Sequence, residues 1–64
     1  VVMADAAPAG RHYEAWGRHG QTTRFLAATA TDRMNLPYEG LDSVDVRLAD
    51  DRGWWQSVAT IQLE

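Results

Sequence analysis

From Ser43 onward the chain alternates between apolar and polar positions. In SVDVRLADDRGWWQSVATIQLE, Val44, Val46 and Leu48 are separated by Asp45 and Arg47, the two-residue period of a strand with one buried face. Past the polar segment Asp50–Gly53, Trp55, Ala59, Ile61 and Leu63 share one parity, with Ser57 among them, while Gln56, Thr60 and Gln62 share the other. Two such runs about a glycine-containing turn predict an antiparallel hairpin. With a four-residue loop Asp50-Asp51-Arg52-Gly53, Leu48 faces Trp55, Val46 faces Ser57 and Val44 faces Ala59. All the apolar side chains then lie on one side, and a one-residue slip would split them. That register turns Trp55 into the core and Trp54 outward, beside Ala49 and near Arg47, with Val58 two pleats further on.

The amino-terminal half carries two competing patterns. HYEAWG and TTRFLAATA flank the turn-like GRHGQ, and Tyr13, Trp16, Thr22, Thr23, Phe25 and Thr29 are residue types that favour strands. They predict strands over 12–17 and 22–30, with DRMN a single turn before the loop LPYEG. The competing reading is a helix over TTRFLAATATDRMNL, capped by Thr22 or Thr23 and stopped before Pro37. Residues 1–10, with Pro8, Gly10 and no apolar period, read as a flexible arm ahead of one small domain over 11–64. The expected fold is mainly β: a small antiparallel sheet of two hairpins, as a meander or partly open barrel. One short helix, and with it an α+β class, is the alternative.

Composition narrows the functions such a sheet can serve. A chain of 64 residues buries only about 60% of the surface its unfolded form exposes, so a partner or a second copy is the cheapest source of further burial. There is no cysteine, and the only histidines are His12 and His19, which supplies neither disulfides nor an ordinary zinc set. No metal and no cofactor are expected. The net charge is −3, from six arginines against nine acids with no lysine, which disfavours nucleic acid and anionic membranes as partners. No apolar run is long enough to span a bilayer, and the first residues lack the basic and apolar regions of a secretory leader. The cytoplasm is therefore the expected location.

Two short motifs resemble known families. GRHGQTT, Gly17–Thr23, resembles the phosphate-handling signature of the histidine phosphatase and phosphoglycerate mutase superfamily. The resemblance implies His19 as phosphate acceptor and Arg18 as the bidentate clamp on phosphoryl oxygens. It covers Arg18–Thr22. The family places a second histidine and an acidic proton donor downstream, whereas His12 lies upstream, and its doubly wound sheet needs more chain than this. A glycine-flanked turn with exposed Arg18 and His19 accounts for the same letters.

The second motif is DDRGWWQ, Asp50–Gln56, which resembles the acidic loop and paired tryptophans of SH3 domains. That resemblance implies Trp54 in a proline-peptide groove, with Asp50 and Asp51 flanking it for a basic ligand residue. The tyrosine-rich motif of that family is absent from the 64 residues. In the plainer reading the acids make the turn, Trp55 fills the core and Trp54 is a partly covered surface aromatic. Two further clusters have similar plain readings: Trp16, Trp54 and Tyr38 as core aromatics in place of a base-stacking platform, and Asp42, Asp45, Asp50 and Asp51 as solvated turn carboxylates in place of a cation site.

Three tryptophans, two tyrosines and one phenylalanine are a heavy aromatic load for so small a core, and Trp and Tyr are favoured anchors of interfaces. The sequence therefore points to a non-enzymatic protein-binding or assembly module that uses an aromatic-bearing sheet face or edge. The expected anchors are Trp54, Val58 and Trp16, with Arg47 as a cation–π or hydrogen-bonding neighbour. The expected partner is another protein or a second copy, as a homodimer paired through Thr60–Glu64. An SH3-like peptide-binding module, or a phosphoryl-transfer fragment using Arg18 and His19, are the alternatives.

Overall fold

The structure, a computed structural model, describes residues 1–63; Glu64, expected at the end of the last strand, lies outside the described residues. Four strands form one open antiparallel sheet: β1 (Arg11–His19), β2 (Thr22–Thr29), β3 (Ser43–Asp50) and β4 (Trp55–Gln62), in the order β2-β1-β3-β4. Both halves are hairpins, and Thr22–Thr29 is strand, not helix. β1 runs on through Arg18 and His19, which shortens the first turn to Gly20 and Gln21. The hairpins join through β1 and β3, which pair antiparallel along their whole length from Arg11↔Asp50 to Arg18↔Ser43.

This order forces a return path. β2 and β3 both run antiparallel to β1, so they point the same way, and residues 30–42 must travel back along the sheet. They do so across one face, which buries Met34 and Leu41 and part of Leu36. The stretch expected as a turn, Asp32–Asn35, is instead extended against the first residues. Val2 bridges Arg33, Met3 N–H donates to the Asp32 carbonyl at 2.7 Å, and Met34 N–H donates to the Val1 carbonyl at 3.0 Å. Residues expected as a flexible arm thus lie in this covering layer, with Val1, Met3 and Ala7 packed on the core.

Beneath that layer, Tyr13 and Ala15 of β1 meet Val44 and Val46 of β3, all buried. Gly17 completes the row. A Cβ there would stand 2.9 Å from Leu41 Cδ2 and 3.0 Å from Leu26 Cδ1, so its missing side chain is what lets the connection settle on the sheet.

The second hairpin differs from the expected register. Asp50 N–H donates to the Trp54 carbonyl at 3.0 Å, which closes a three-residue loop, Asp51–Gly53. Gly53 has φ +96°, the left-handed position that such loops reserve for glycine. The Asp50 carboxylate locks the turn by accepting from Arg52 N–H at 2.9 Å and Trp54 N–H at 3.0 Å. One residue fewer in the loop pairs Ala49 with Trp55 and Leu48 with Gln56, not Leu48 with Trp55. A bulge at Val58 then inserts one residue, and Val46 pairs with Ala59 and Val44 with Ile61. The two changes add to a shift of two residues. Ala59 and Ile61 therefore stay on the inner face, whereas Trp55 turns to the outer one.

The first hairpin uses the same device. Trp16 pairs with Phe25 and Ala15 with Ala27, so Leu26 is the extra residue of β2. In each outer strand a bulged aliphatic separates an outward aromatic near the hairpin tip from inward aliphatics beyond it.

Candidate functional site

Nothing in the described chain covers the outer face of the sheet. The pairing registers place His12, Glu14, Trp16 and Arg18 of β1 there, with Ser43, Asp45, Arg47 and Ala49 of β3. β2 adds Thr23, Phe25 and Ala28, and β4 adds Trp55, Ser57, Thr60 and Gln62. Across this surface runs a diagonal with one residue from each strand: Phe25, Trp16, Arg47 and Trp55. The Phe25 and Trp16 rings meet edge to face, with centroids 5.5 Å apart and planes at 76°. The Arg47 guanidinium lies 5.1 Å from the Trp16 ring centroid and 4.1 Å from that of Trp55. Phe25 is 51% exposed and Trp55 52%.

Polar contacts hold this diagonal in place from both sides. Arg47 Nε donates to Asp45 Oδ2 at 2.8 Å, and the same carboxylate accepts from the Ser57 and Thr60 hydroxyls on β4. Burial pushes the Asp45 carboxyl up, but the bonds from Arg47 and Ser57 outweigh it and hold the group below its ordinary value. Glu14 is held low as well, by hydrogen bonds first from His12 and then from Trp16. His12 Nε2 lies 2.7 Å from Glu14 Oε2, and Trp16 Nε1 donates to Glu14 Oε1 at 3.0 Å. These charges are paired within the face, so the surface it offers is aromatic, with the exposed Arg18 beside it.

Of the four residues singled out from the sequence, the structure brings together Trp16 and Arg47. Trp54 stands at the end of the sheet, where the Arg11 guanidinium lies 4.3 Å from its ring centroid. The place beside Ala49 and Arg47 expected for Trp54 belongs to Trp55. Val58 faces the other way and lines an apolar groove with Ala59 on the inner side of β4. Phe25 and Trp55 are the residues that sequence reasoning missed. Their signal was the adjacent pairs Phe25-Leu26 and Trp54-Trp55, because neighbouring bulky residues on a strand point to opposite faces.

The motif residues are engaged otherwise. Arg18 and His19 are consecutive on β1 and so project to opposite faces. Arg18 Nε donates to the Gly20 carbonyl at 3.3 Å, and His19 Nδ1 lies 4.0 Å from Asp42 Oδ1. Asp42 ties the fold together: its Oδ2 accepts from Gly20 N–H at 2.7 Å, its N–H donates to the Arg18 carbonyl, and its carbonyl accepts from Leu63 N–H. Asp50 is used by its turn. Among the described residues, no helix is long and apolar enough to cross a membrane. No protein-family model matches the chain, and no curated protein or solved structure is found to be similar to it.

Proposed function

We propose that this chain is a non-enzymatic binding module that engages another protein through the outer face of its sheet. The reading rests on one observation, the Arg47 guanidinium held between Trp16 and Trp55 on a face that no other part of the described chain covers. Trp and Arg dominate the binding energy of protein interfaces, because each offers a large rigid area along with directional contacts. Here Asp45 and the two hydroxyls fix the arginine before any partner arrives, so little side-chain freedom is lost on docking. The internal pairing of Glu14 and Asp45 leaves no bare carboxylate to desolvate. That suits an uncharged protein surface.

The test compares affinity capture from host extract by the unaltered protein and by Trp55→Ser, with both shown to be folded by their amide spectra. A partner held by the first and lost by the second supports the reading. A partner held equally by both overturns it.

A further inference from the structure

We propose that the free edge of β4, with the apolar groove beside it, is the docking surface for a second copy of this chain. This surface meets the aromatic diagonal only at Trp55, the first residue of β4, and either proposal stands if the other fails.

Exposed sheet edges are ordinarily blunted by charged side chains, proline, bulges or a covering segment. From Trp55 to Gln62, β4 has no charged residue and no proline. The other edge strand, β2, carries Arg24, and just past its end the Ala30 carbonyl accepts from Ala7 N–H at 3.0 Å. The layer over the inner face reaches Ile61 but leaves Gln56, Val58 and Ala59 of β4 exposed. Val58 is 48% exposed and Val2 69%, and between them opens a groove of about 370 Å³ whose walls include Met3, Val46, Leu48 and Ala59.

The one protective device on β4 is the bulge at Val58, and it favours self-pairing. With a two-fold axis between Val58 and Ala59, Val58 of one copy meets Ala59 of the other on the inner face. Ser57 then meets Thr60 on the outer face, Gln56 meets Ile61 on the inner, and Trp55 meets Gln62 on the outer. In a regular strand this pairing would set inward residues against outward ones; the extra residue at Val58 restores the match. The centre is apolar, the next pair joins two hydroxyl side chains, and no like charges are opposed.

The area adds a requirement. The chain exposes 4449 Å² for 7.1 kDa, against about 4,100 Å² for a compact monomer of that mass. A stable dimer covers about 800 Å² on each copy. About 27 Å of strand on a slab 15 Å thick projects to roughly 400 Å². Backbone pairing must therefore be joined by interlocking of Val2, Met3 and Val58 in the groove, which makes those side chains part of the interface.

Light scattering after size exclusion, over a range of protein concentrations, should give twice 7.1 kDa, with little change between low and high salt because the paired strands carry no charged side chain. Val58→Lys places two ammonium groups at the axis and should weaken self-association by more than about tenfold, while its amide spectrum stays folded. Phe25→Ser, on the opposite edge strand, should leave the mass unchanged. If Val58→Lys does not fold, the double variant Gln56→Lys/Gln62→Lys replaces it, since both glutamines are exposed. A single-copy mass at every concentration overturns the proposal. So does a dimer that survives the β4 lysines, or one that Phe25→Ser splits instead.

Discussion

The two faces of this sheet are built from the same four strands and obey different rules. On the inner face Ala15, Gly17, Val44 and Val46 are small or β-branched, fully covered and packed against Leu41 and Met34. On the outer face the large rings sit in the open, and what orders them is a lattice of hydrogen bonds and cation–π contacts anchored on Glu14 and Asp45. Stability therefore resides on one side and candidate recognition on the other. A face whose rings are held by polar neighbours can stay ordered without being buried, which is what a preformed binding surface requires.

Substitutions separate the two roles, and the largest effect belongs to the inner face. Val46→Ala should cost about 2–3 kcal/mol through the cavity it leaves, lowering Tm by roughly 10–20 °C in a domain of this size. A thermal scan within a few degrees of the unaltered protein would show that the inner face is not the stability determinant. Asp45→Ala comes next, at about 1–2 kcal/mol, because Arg47, Ser57 and Thr60 lose a common acceptor. It should also shift the Trp55 indole NMR signal, and an unmoved signal would disconnect the polar lattice from the rings. Trp55→Ala should cost less than about 1 kcal/mol, since an exposed cation–π contact is worth no more than that. A loss as large as that of Val46→Ala would erase the distinction between the faces.

The pH response bears on the outer lattice. Glu14 and Asp45 are both held below ordinary carboxylate values, so the native state binds fewer protons than the unfolded chain in the acid range. Their stabilisation is fully present above the unfolded carboxylate values, about 4, and is lost as pH falls through their lower native ones. Chemical denaturation midpoints should thus decline on acidification, and the decline should shrink in Asp45→Ala. The smallest effect is expected for Phe25→Ser, a few tenths of a kcal/mol at an exposed strand position. Its informative readout is partner capture.

Much of the inner face was legible because alternation is a local signal. Val44-Asp45-Val46-Arg47-Leu48 announces a strand and its buried side whatever lies next to it. The outer face was only half legible. Trp16 and Arg47 belong to the two central strands, whose parity is continuous, and both lie where alternation puts them. Trp55 and Phe25 lie on the outer strands, where bulges at Val58 and Leu26 interrupt the parity. Reading one unbroken alternation through Trp55 and Ile61 assigned the wrong tryptophan to the outside. The constraint behind that reading was sound, since the aliphatic set does stay together. The chain satisfies it with a shorter turn and an inserted residue.

Sequence alone determined that the second half makes a hairpin with its aliphatic residues together and that the chain carries a surplus of aromatic side chains, because periodicity, turn residues and composition act over a few neighbouring positions. For 22–30 it left strand and helix both open. Tertiary structure decided which rings face outward, that the hairpins join through β1 and β3, and that residues 30–42 cover one face and leave the other open. These outcomes depend on how strands pair across the sheet. One residue gained or lost in a turn or a bulge reverses every side chain beyond it, and only the assembled sheet selects which reversal keeps the core whole.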